Sequence, residues 1–291
     1  VVLQGGNVSV TASKNGAALL TGGKLELQSG ELTLTGTSAA NSAGISMTGP
    51  VQISGGKLTV SDVDIAVKNV STYTATFSGG SHSLTASTVG YADNAAGALT
   101  VENTADVTFN APTAIQLSRG KGGKLNLTGG KLTLNCTDAG LSVLAGAGKA
   151  TLSGGTLNVN NTGDTPNATG IWAGSEVAFS GANVNFTGCK TDLTVANSST
   201  KLTAGKISLS GSQFGMNVGA DFTMSGGEIL STGCVRGIVA NGATATLAAG
   251  KVSVTASYPF WAANGGTLDF AGAEVLGNST ANCAVYIDPN T

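Results

Sequence analysis

GGKLTLNCTDAGLSVLAGAGKATLSGGTLNV, residues 129–159, holds the pattern from which the fold follows. It begins and ends on the same device, a Gly-Gly corner followed by alternating apolar and polar residues. After Gly129-Gly130 come Leu132 and Leu134; after Gly154-Gly155 come Leu157 and Val159. A period of two is the signature of a strand, because successive side chains point to opposite faces. Two more short strands, LSVL (141–144) and KATLS (149–153), lie between the two corners.

The same unit recurs along the whole chain. Its corner strands read GGNVSV (5–10), SGELTL (29–34), GGKLTV (55–60), GGSHSL (79–84), TADVTF (104–109), GGKLTL (129–134), GGTLNV (154–159), GANVNF (181–186), AGKISL (204–209), GGEIL (226–230), AGKVSV (249–254) and GAEVL (272–276). The second corner residue falls at 6, 30, 56, 80, 105, 130, 155, 182, 205, 227, 250 and 273, intervals of 22 to 27. It is Gly in nine of the twelve, with Ala105, Ala182 and Ala273 the exceptions. A sharp bend between strands calls for positive φ, which Gly adopts without steric cost. A strand before each corner (VQIS 51–54, EVAFS 176–180, DFTMS 221–225, TLDFA 267–271) and a leading strand before that (GISM 44–47, AIQL 114–117, GIWA 170–173, GIVA 237–240, AVYI 284–287) complete each unit.

Three short strands in about 24 residues make one coil of a single-stranded parallel β-helix, and parallel crossovers are right-handed in nearly all cases. The predicted fold class is therefore all-β, a right-handed β-solenoid of about twelve coils forming one domain over 1–291. Twelve coils spaced ~4.8 Å apart give a rod on the order of 55–60 Å long. An antiparallel sandwich also alternates, but its turns come without a three-strand repeat.

Composition agrees with short strands and tight corners. Gly supplies 44 of 291 residues and charged residues only 10%, while 41% are hydrophobic, a combination opposite to that of disordered chains. A net charge of −2 with only two arginines, Arg119 and Arg236, leaves no basic face for nucleic acid. No run of eighteen apolar residues is present, so no membrane-inserting helix is expected. The chain opens on strand-like Val1-Val2-Leu3 with no signal peptide ahead of it, and is read as a piece of a longer precursor. Open strand edges at the two ends are expected to be covered by flanking domains or by end-to-end association.

The repeated SGGxLxV corners resemble those of the right-handed parallel β-helix (pectin-lyase-like) superfold, and the Gly-rich repeat regions of secreted and surface proteins of bacteria. The resemblance spans the chain but encodes the coil rather than a site. Pectate lyases and polygalacturonases of that superfold use clustered aspartates, calcium and a catalytic Arg or Lys. Those clusters have no match in this sequence, so no catalytic residue is carried over, and shared fold alone does not imply shared activity.

The residues themselves offer few centres of chemistry. Asp62 and Asp64 are the closest acidic pair, read as a solvated turn in preference to part of a calcium site. His82, the single histidine, falls at an inward position and is either a buried imidazole or the mark of a local register slip. Cys136, Cys189, Cys234 and Cys283 lie two coils apart, roughly 9–10 Å, too far for disulfides, and carry no zinc spacing. They are expected to be free or buried thiols, and no metal or cofactor is expected. Outward files of Ser, Thr and Asn, such as Thr11, Thr35, Ser61, Thr85, Asn110, Asn135 and Asn160, read as hydrogen-bonded ladders, with an ice-binding surface as a remote alternative. The longest loops are 35–44 and 160–170.

Aromatic residues gather on the leading strands of the C-terminal half. Trp172, Tyr258, Trp261 and Tyr286 are the candidate glycan contacts, since such rings offer apolar faces with polar edges. Their coils are taken to be non-adjacent, and some of these rings are alternatively read as covering the end of the core. The functional expectation is an extracellular or cell-surface structural or adhesive module of a bacterial protein. A carbohydrate-binding or polysaccharide-cleaving helix is the alternative, its partner an extracellular glycan or another host or cell-surface ligand.

Overall fold

The structure, a computed structural model, describes residues 1–12, 16–164, 168–281 and 283–288. Among these it contains strands and no helix. Each strand pairs in parallel with its counterpart in the next coil, giving a β-solenoid of about twelve turns. The three files of strands foreseen from the repeat form three faces. The leading face runs through Ala43–Met47, Ile65–Asn69, Val89–Asp93 and Thr113–Leu117 toward Val285–Ile287. The pre-corner face includes Val51–Ile53, Thr74–Phe77 and Ala98–Val101, and the corner face Lys57–Ser61, Ser81–Thr85 and Asp106–Asn110.

In several coils in both halves of the chain the strands are longer than the sequence pattern suggests, Leu25–Thr35 among them. Lys124–Cys136, Ala150–Asn161 and Val177–Thr187 carry one strand around the corner, and Phe222–Asn241 and Thr244–Ala263 run through all three faces. The pairing skips a step at the bend, as between Leu127, Thr128 and Lys131, which is how a bulge turns a strand without ending it. All nine corner glycines have positive φ, from 65° at Gly130 to 97° at Gly250. None of the three corner alanines does, and beside Ala105 it is Asn103 (φ 54°) that takes up the left-handed turn. The corners also stack closely. A Cβ on Gly155 would lie 2.5 Å from the carbonyl oxygen of Gly130 below it, so stacking excludes a side chain as firmly as φ does.

Inside, like residues sit over like. Leu32, Leu58, His82, Val107, Leu132, Leu157, Val184 and Ile207 follow one another rung by rung, all buried. Outside, the first position of the corner strand carries charges of alternating sign. Lys57 meets Glu31 at 2.9 Å, Lys131 meets Asp106 at 3.2 Å, and Lys206, Glu228, Lys251 and Glu274 occupy four successive rungs. Such exposed pairs contribute about 0–1 kcal/mol each, but a slip of one coil would set like charges together. The terminal coils expose Val2 and Leu20 at one end and Phe270, Leu276, Val285 and Ile287 at the other.

Candidate functional site

The four predicted aromatic contacts all lie on the outer side of the leading face. Trp172, Thr194, Asn217, Val239, Trp261 and Tyr286 are partners in register, one per rung. Trp172, 38% exposed, stands four rungs from Trp261, about 19 Å away. Non-adjacency therefore holds for Trp172. It fails for the other three: Trp261 and Tyr286 are on neighbouring rungs, with ring centres 4.3 Å apart, and Tyr258 packs on both at 4.9 and 5.8 Å. The edge-on and tilted geometries are those aromatic pairs prefer. Phe260, between them in sequence, turns inward and is buried.

The residue that sequence reasoning missed is Arg236. It pairs in register with Phe214 on one side and Tyr258 on the other. Its guanidinium carbon lies 4.9 Å from the centre of the Phe214 ring and 4.4 Å from that of Trp261, a cation between two π faces. Its Nε is buried without a hydrogen-bond partner, and its side chain forms no ion pair among the described residues. The signal was in the sequence, since Phe214, Arg236 and Tyr258 recur at the coil period. Phe214, Arg236, Trp261, Asn217, Asn241 and Asn264 line a shallow groove of about 220 Å³, with Asp288 at one side. Its amides form a chain in which Asn264 donates to Asn241 (2.7 Å) and Asn241 to Asn217 (3.4 Å).

Elsewhere parts of the polar surface hydrogen-bond to themselves. Asn160 donates to Asn135, Asn135 to Asn110 and Asn110 to Thr85, at 3.0, 2.7 and 3.2 Å. Asp64 accepts from the backbone N–H of Asn41 at 2.7 Å and from the hydroxyl groups of Ser87 and Thr88, tying three coils of loop together. Loop 35–44 places Ser38 and Asn41 at positive φ beside it. Residues 165–167 of loop 160–170 lie outside the described residues.

His82 is a buried imidazole in unbroken register with Leu58 and Val107. The Leu58 N–H donates to Nδ1 (3.1 Å) and Nε2 faces the Gly79 carbonyl (2.7 Å), which together specify the neutral Nε2–H tautomer. Burial lowers its pKa; the Gly79 hydrogen bond and Asp106 act against that shift. The four thiols are free. Burial pushes Cys136 up to about 12 and raises Cys189 as well, so neither supplies a thiolate near neutral pH.

Two buried carboxyl groups also escaped the sequence reading. Asp192 stands in the leading strand where neighbouring coils place Gly140, Gly170, Gly215 and Gly237. The N–H of Ser210 donates to its Oδ2 at 2.9 Å and the Ser212 hydroxyl at 3.1 Å, while Oδ1 is buried without a partner. Ser212 continues to Cys234 (3.1 Å), which also receives the hydroxyl of buried Ser231. Burial raises the Asp192 carboxyl to about 8, against those two hydrogen bonds. Asp93, also buried, is pushed up to about 6. It ends a strand whose Tyr91, wholly inside the core, accepts a hydrogen bond from Asn69 at 3.2 Å.

No protein-family model matches the chain, and no curated protein or solved structure shows significant similarity to it.

Proposed function

We propose that the chain is a rigid extracellular or cell-surface module of a bacterial protein with an adhesive role, holding a saccharide against its leading face. One observation supports this reading above others. The rings of Phe214 and Trp261 line one groove with Arg236 and three asparagine amides, and Tyr258 and Tyr286 pack on Trp261 behind them. Rings beside amides are the chemistry that takes up a sugar, whose ring offers apolar C–H faces and whose hydroxyls need partners. The Asn file and the charged file of the corner face are engaged in ladders of their own. A backbone hydrogen-bonded from coil to coil keeps such a groove fixed relative to the rod.

A glycan array with the purified chain tests this. Binding to a defined set of saccharides, lost in Trp261→Ala and retained in Trp172→Ala, is expected. An array without reproducible binding refutes the adhesive reading. Release of reducing or unsaturated uronate ends from a bound polysaccharide replaces it with a cleaving one.

A further inference from the structure

We infer that the groove at Arg236 selects a saccharide bearing a single carboxylate, with the Arg236 guanidinium as its anchor. This inference rests on the adhesive reading of the same face. Among the described residues six lysines meet a carboxylate within 4 Å. Arg236 has instead two aromatic faces, from Phe214 and Trp261, and a buried Nε without a hydrogen-bond partner. Clamped between rings, the guanidinium keeps one plane, so little further side-chain freedom is lost when an acceptor arrives. A planar carboxylate matches that fork with two parallel charge-assisted hydrogen bonds.

The groove also limits what carries the charge. At about 220 Å³ it is smaller than the roughly 300–1,000 Å³ typical of sites for drug-sized molecules, which suits one sugar unit. The amide chain leaves the Nδ2 of Asn217 and the Oδ1 of Asn264 at its two ends, a donor and an acceptor for ring hydroxyls. Among the described residues Arg236 is the one cation lining the groove and Asp288 the one carboxylate. A singly charged acid finds its counter-charge there. A phosphate, with a second negative charge, finds no second cation and meets Asp288.

Glucuronate and glucose differ only in carboxylate against hydroxymethyl at C6, and are the probes. Titration followed by tryptophan fluorescence and by calorimetry is expected to show glucuronate bound at least tenfold more tightly than glucose, about 1.4 kcal/mol. N-acetylneuraminate, with its carboxylate on a different ring carbon, tests whether charge alone suffices or its placement matters. Arg236→Gln is expected to abolish the preference for the acid. Arg236→Lys keeps the charge without the fork and is expected to keep only part of it. Asp288→Asn is expected to strengthen acid binding several-fold. Circular dichroism of each variant checks the fold.

Equal affinity for glucose and glucuronate overturns the carboxylate assignment and leaves the adhesive reading standing. Tighter binding of glucose 6-phosphate than of glucuronate overturns it too. Failure of both sugars to bind, with a positive array, places the saccharide site elsewhere and removes the inference. A blank array removes the adhesive reading itself.

Discussion

Replacing Asp192 by Asn should flatten the dependence of stability on pH in a defined window. The folded carboxyl titrates near 8, mainly because burial disfavours its charge, against 3.8 for an ordinary aspartate. Below 3.8 both folded and unfolded chains carry the proton, and the site imposes no ionisation cost. As pH rises through 3.8 the unfolded chain releases its proton and the folded chain keeps it. Stability therefore falls with rising pH, by at most ~1.4 kcal/mol per pH unit. The fall ends near pH 8, where the folded group also ionises. Integrated over the window, the upper bound is about 6 kcal/mol, less whatever local relaxation lets water in. Asp192→Asn keeps the acceptor for Ser210 and Ser212 but cannot ionise. Urea unfolding followed by tryptophan fluorescence suits the measurement, since Trp172 lies one coil from Asp192 and Trp261 three coils on the other side. The stability of the variant minus that of the wild type should rise steadily between about pH 4 and about pH 8. Asp93 and His82 titrate in both proteins and cancel in the difference. Parallel curves across the window would refute the buried-carboxyl argument.

Gly155→Ala should destabilise by about 1–3 kcal/mol, from the positive φ and the carbonyl of Gly130 beneath. Ala182→Gly, at a corner of negative φ, should cost about 1 kcal/mol or less; comparable losses in thermal melts would contradict the account of the corners. His82→Leu restores the aliphatic file. Because burial depresses the His82 pKa, the stability of the variant minus that of the wild type should rise as pH falls below 6.5, with Asp192 and Asp93 cancelling in the difference. Urea midpoints taken on either side of that value decide it. Glu228→Lys sets three lysines on successive rungs with Lys206 and Lys251. It should lower the melting temperature modestly at low salt and hardly at all in molar salt, whereas a salt-independent loss would deny the ladder an electrostatic role.

The fold was legible because its cause repeats. A small corner residue about every two dozen positions, Gly in nine coils of twelve, and apolar residues at every second position afterwards report the same chain path again and again, and one aberrant coil does not hide it. The continuous strands around the corners were less visible, since pairing through a bend depends on bulges such as that after Leu127 rather than on side-chain pattern. Single events were harder still. Asp192, Asp93 and Ser231 are polar residues at inward positions, and only alignment of each coil position by position exposes them. Trp172 was correctly turned outward by alternation with Ile171. Arg236 drew no attention because its neighbours, Phe214 and Trp261, are 22 and 25 residues away and their approach depends on side-chain direction as well as register.

Register makes the separation of Trp172 from the groove a quantity that changes only in whole steps. Neighbouring coils are nearly interchangeable, so unequal recombination inside the repeat adds or removes an entire turn. Each such event slides everything beyond it by one strand spacing, about 4.8 Å, and leaves the groove's own geometry intact. Reach along the rod can thus evolve independently of what the groove recognises.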